Sequence, residues 1–110
     1  MAEPIKLNFE NGKTYTLDFS RRTLNEAVKN GFNVKAFGEN PYSDIPELFY
    51  WSLKKYQPTT TEAEADTLFD ELGGLTEAEI ARLGDIIKDA TTSLVASEEK
   101  RKNLHLTVTM

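Results

Sequence analysis

The chain contains no cysteine and only one histidine. Without cysteine it has no disulfide framework, no thiolate nucleophile and no cysteine-based zinc site. The composition fits a reducing compartment. His105 sits in an alternating apolar segment near the C-terminus, and no carboxylates alternate with it on that face, so it is read as structural and not as a metal ligand. A catalytic triad built on a residue so close to a chain end would be poorly held. Long apolar runs are also missing. The longest, Leu48-Phe49-Tyr50-Trp51, falls far short of the roughly 20 residues a membrane helix needs. Met1-Ala2-Glu3-Pro4 lacks the basic-then-apolar pattern of a signal peptide. The glycines at positions 12, 31, 38, 73, 74 and 84 match no phosphate-binding loop.

Negative charge is present and unevenly spread. The net charge over 110 residues is −5. Residues 57–96 carry nine acidic and two basic residues, a net of −7, while the flanks are each close to neutral. An acidic middle repels phosphate, so nucleic acid is not an expected partner. Carboxylates recur at helical spacing in Glu62, Asp66 and Asp70, which is read as a solvated face. The basic pairs Arg21-Arg22 and Lys54-Lys55, and the run Lys100-Arg101-Lys102, are read as solubilising and helix-end charge.

The patterning predicts an α+β, mainly helical domain over residues 1–96, followed by a charged linker and strand-like tail over 97–110. Ile5, Leu7 and Phe9, then Tyr15, Leu17 and Phe19, alternate with polar residues around Asn11-Gly12. That is the pattern of a β-hairpin with one apolar face. A lone hairpin is marginal in water, so later helices must cover it. About four helices are expected to do so. The first is capped by Ser20 and ends near Asn30-Gly31-Phe32, where a left-handed residue precedes an apolar contact. The stretch 33–42 reads as a loop. The second helix begins at Ser43 or Asp44, with Ile45, Leu48, Phe49, Ser52, Leu53 and Tyr56 on one stripe, and stops before Pro58. Thr61 with Glu64 and Thr76 with Glu79 form two capping boxes around Gly73-Gly74, the pattern of a helical hairpin. The fourth helix extends to about Val95 with Ile80, Leu83, Ile87, Ala90 and Leu94 inward. Leu104, Leu106, Val108 and Met110 alternate in the tail, and are expected to pair with the hairpin edge, another subunit or a partner sheet.

One cluster stands out as a binding surface. Tyr50 and Trp51 fall off the core stripe, at roughly 140° and 240° round the helix from Ile45. Trp and Tyr are the residues that anchor protein interfaces. Ile86 also lies off its helix's stripe and is a candidate oligomer contact. The candidate partner-binding residues are therefore Tyr50, Trp51, Leu53, Ile86, Leu104, Leu106 and Val108. No catalytic, metal or cofactor site is predicted.

The order of elements, IKLNFENGKTYTLDF then LNEAVKNGFNV, IPELFYWSLKKY and EAEADTLFDEL, resembles the small tail assembly chaperones of long-tailed bacteriophages and prophages. The likeness covers roughly residues 3–95 as an arrangement of elements. It implies a non-enzymatic, self-associating protein of the host bacterial cytoplasm. Such a protein binds the aggregation-prone tape measure protein and helps recruit tail tube subunits. The tail NLHLTVTM corresponds to no feature of that family. Two other readings fit the composition: an acidic phage inhibitor or nucleic-acid mimic that fills a host protein's basic groove, and a small tail structural component.

Overall fold

The alternating segments form strands β1 (Ile5–Asn8) and β2 (Thr14–Leu17). The structure, a computed structural model, describes residues 2–33 and 41–92, the side chains of 41–43 excepted. The strands are antiparallel, with Ile5 opposite Leu17 and Leu7 opposite Tyr15. The apolar side chains therefore share one face. A three-residue loop, Glu10-Asn11-Gly12, closes the hairpin. Gly12 takes the left-handed conformation at φ 84°, and its N–H donates to the Phe9 carbonyl at 3.0 Å. Asn11 contributes through its side chain, whose Oδ1 accepts from the Lys13 N–H at 2.8 Å.

Helix α1 (Arg21–Lys29) starts at Ser20 with a reciprocal Ser20–Thr23 capping box. It ends in a Schellman motif: Phe32 N–H donates to the Ala27 carbonyl and Gly31 N–H to that of Val28, with Gly31 at φ 93°. Phe32 is thereby folded back into the core. Helix α2 (Pro41–Leu53) begins two or three residues before the expected start at Ser43 or Asp44, with Pro41, read as part of the loop, at its first position, where the fixed φ of proline suits a helix start. It also stops earlier than its apolar stripe: after Leu53 the chain enters a turn in which the Lys54 N–H donates to the Trp51 carbonyl and the Gln57 backbone and side-chain N–H groups both donate to the Leu53 carbonyl. Tyr56, predicted on the stripe, is therefore turned out and 53% exposed.

Helix α3 (Glu62–Leu72) and helix α4 (Glu77–Thr92) carry the predicted Thr61 and Thr76 caps. Left-handed Gly73 and Gly74 separate them. They dock on different neighbours: α3 lies along α2, and α4 packs against α1. The predicted extension of α4 to Val95 lies outside the described residues, as do Leu94, His105 and the whole tail.

Helix α2 is the centre of the molecule, touching β2, α1 and α3. Leu48, Phe49, Ser52 and Leu53 on it are wholly buried. Phe49 meets Phe69 of α3 with ring centroids 5.5 Å apart. The buried Ser52 hydroxyl donates to the Phe49 carbonyl at 2.7 Å, and no buried side-chain N or O among the described residues lacks a partner. No helix among the described residues is long and apolar enough to cross a membrane.

Candidate functional site

Two turns of α2 fix the site. Burial of Leu48, Phe49, Ser52 and Leu53 fixes the rotation of the helix, which leaves Tyr50 and Trp51 half-buried at the edge of the core. Their rings meet edge to face with centroids 5.0 Å apart, an arrangement favoured by the aromatic quadrupole. Lys54 lies beside Tyr50, its Nζ 5.2 Å from the ring centroid. That ammonium is anchored by the carbonyls of Pro58 at 3.0 Å and Thr60 at 3.2 Å.

The aromatic pair borders a cavity of about 250 Å³, shaped by Pro46 and Glu47 of α2 and by Glu62 and Asp66 of α3. Asn30, at the end of α1, completes the rim. Three carboxylates thus surround two aromatic rings, and among the described residues no basic side chain lines the cavity. None of the three carboxylates has a hydrogen-bond or ion-pair partner among the described residues. No group of acidic residues or His among the described residues is gathered closely enough to hold a metal ion.

Other sequence candidates lie elsewhere. Leu53 is fully buried and Ile86 is 3% exposed, so both leave the candidate surface and join the core. Leu53 faces inward on the same turn as Phe49. Ile86 borders a cleft shared with Ala2 and Pro4 of the segment before β1, which is tied to α4 by an Ala2 N–H donated to Asp89 Oδ2 at 2.7 Å. Helical periodicity within α4 carries no sign of that segment. Leu104, Leu106 and Val108 lie outside the described residues.

The family model for DUF5055, a domain of unknown function, matches residues 1–110. The chain belongs to the DUF5055 family. No curated protein and no solved structure matches it.

In this DUF5055 chain the residues that sequence reasoning left out of the site are Glu47, Glu62 and Asp66. The spacing of Glu62 and Asp66 showed that they share a helix face. Which neighbour that face borders depends on how α3 lies along α2. A second cleft, of about 760 Å³, runs between α1 and the end of α4 and is floored by Leu24 and Val28, with Arg21 and Arg22 at one end. By helical spacing Val28 shares a side of α1 with Leu24 and Ala27, yet it is 48% exposed, and that exposure opens the cleft.

A third cleft contains the only ion pair among the described residues. Lys55 Nζ donates to Asp18 Oδ2 at 2.6 Å. That hydrogen bond outweighs the burial of Lys55 and raises its pKa above the ordinary 10.5. The Asp18 N–H also donates to the Ser52 carbonyl, joining β2 to α2. This pair therefore ties β2 to the end of α2.

Proposed function

We infer that this DUF5055 chain is a non-enzymatic assembly chaperone of long-tailed bacteriophages or prophages. It works in the cytoplasm of the host bacterium, binds the tape measure protein and helps recruit tail tube subunits. The observation that carries the reading is the Tyr50–Trp51 pair: two large aromatics left half-buried on the central helix beside the fully buried Leu48, Phe49, Ser52 and Leu53. A holding protein needs such apolar contact for a client, together with enough like charge to keep the complex in solution. The net −7 of residues 57–96 supplies the charge, and the order of elements supplies the likeness to tail assembly chaperones. Self-association belongs to the same reading.

The test is co-expression of a tape measure fragment with this chain. The wild-type chain keeps the fragment soluble, and the double variant Tyr50→Ala/Trp51→Ala does not. Equal solubility with both chains contradicts the assigned surface.

The unpaired carboxylates of Glu62 and Asp66 favour a second reading, an acidic inhibitor that occupies a basic groove of a host protein. It predicts binding that weakens steeply with salt and depends on Glu62, Asp66 and Asp70, with Trp51→Ala silent.

A further inference from the structure

We propose that the cavity beside Tyr50 and Trp51 receives an arginine side chain of the bound protein. The proposal rests on the reading of these aromatics as the partner-binding face and names the chemistry they take. Four observations converge on a guanidinium.

The cavity is lined by three carboxylates, Glu47, Glu62 and Asp66, with no basic side chain beside them among the described residues. None is engaged by a partner within the described residues. Lys54, the lysine one turn on from Tyr50, is held away by the Pro58 and Thr60 carbonyls and cannot neutralise them without giving up both bonds. Its ammonium sits over Tyr50, so this ring already accepts a cation at 5.2 Å.

The carboxylates do not converge on a point where a small ion would sit. They border an open space of about 250 Å³. A planar guanidinium, with five donors in a fixed fork, reaches separated carboxylates and stacks on an aromatic face in one pose. An ammonium, a compact point charge, can sit over the ring as Lys54 does, but it has no planar fork to bridge the separated carboxylates. The sign, the width and the aromatic wall together select arginine over lysine.

Trp51 is the only tryptophan in the chain, so its emission reports the cavity directly. The experiment titrates the full chain with acetyl-Ala-Arg-Ala-amide and with the same peptide carrying citrulline or lysine in place of arginine. The chemical shift of the Trp51 indole N–H is a second readout that needs no change in emission. A saturable response to the arginine peptide is expected. It weakens about tenfold or more for lysine, vanishes for citrulline, and falls about tenfold in Glu62→Gln/Asp66→Asn. Asp70→Asn, which lies outside the cavity, binds as the wild type does. No saturable response, an equal response to citrulline or lysine, or undiminished binding by Glu62→Gln/Asp66→Asn overturns the proposal. The two failures are distinguishable. If Tyr50→Ala/Trp51→Ala loses the tape measure fragment while Glu62→Gln/Asp66→Asn keeps it, the partner face stands and the arginine site falls. If the peptide binds but neither double variant affects the fragment, the cavity stands and the chaperone assignment falls.

Discussion

At the scale of single residues, a few polar side chains join the hairpin to the helices. Gln57 is the clearest. Its Oε1 accepts from the Thr16 N–H and its Nε2 donates to the Thr16 carbonyl, both at 2.9 Å, as a neighbouring strand would. It thereby occupies the outer edge of β2 at Thr16, on the hairpin that was one candidate for pairing with the tail strand. The same Nε2 closes the end of α2. Gln57→Ala removes all three bonds and leaves backbone groups of β2 partly buried. A loss of about 2–3 kcal/mol is expected, read as a lower urea midpoint at unchanged slope. Lys55 gives a pH signature. Its folded pKa lies above the unfolded 10.5, because protonation sustains the bond to Asp18. The stabilisation is thus fully present below about pH 10.5 and is lost as pH rises through the higher folded value. The lysine side chain is 32% exposed, so screening keeps the effect small. Lys55→Met should cost about 1 kcal/mol at neutral pH, partly by stranding the buried Asp18. Thermal melts against pH should show the two proteins converging above pH 10.5. Neither role was legible in the sequence. A glutamine after a helix, or one lysine of a pair, carries no mark of the strand it will meet.

At the scale of elements, the sequence was most informative where local chemistry decides. Ser20, Thr61 and Thr76 cap the helices they precede, and Gly73-Gly74 divides α3 from α4. Alternation around Asn11-Gly12 identified the hairpin and its apolar face. The end of α1 was equally readable, since Gly31 alone satisfies a left-handed position there. Gly31→Ala forces a side chain into φ 93°, although the space around it is open. The cost should be about 1–2 kcal/mol from backbone strain alone, visible as a lower Tm with an unchanged far-UV spectrum. Errors arose where one element is decided by another. The α2 stripe ran past its end to Tyr56 because the turn over residues 54–56, held to the hairpin through Gln57, is not encoded in periodicity. Ile86 looked superfluous although it is buried, because its burial depends on how α4 packs in the fold, and the segment before β1 that is tied to α4 beside it lies more than 80 residues away in sequence. The helical hairpin expected of α3 and α4 was a local inference too. The turn is present, but each helix finds its main partner elsewhere.

At the scale of the whole molecule, the mainly helical α+β architecture was legible, and the candidate site was legible in half. Tyr50 and Trp51 announced themselves by lying off the stripe of a helix that must be buried. The carboxylates facing them did not, because Glu62 and Asp66 come from α3 and meet the aromatics only through the packing of α3 on α2. A chaperone of this type is expected to self-associate. Light scattering over a concentration series should show mass rising above that of one 12.4 kDa chain, and a strict monomer throughout would move the weight to the acidic inhibitor. The most direct test of the central claim is the affinity of the tape measure protein for the chain, measured by calorimetry for the wild type and for Tyr50→Ala/Trp51→Ala. Circular dichroism would first establish that both are folded. The account predicts saturable binding by the wild type and a Kd at least about tenfold weaker for the variant, as expected when interface anchors are truncated. Equal affinity for the two, or no binding by the wild type, would contradict it.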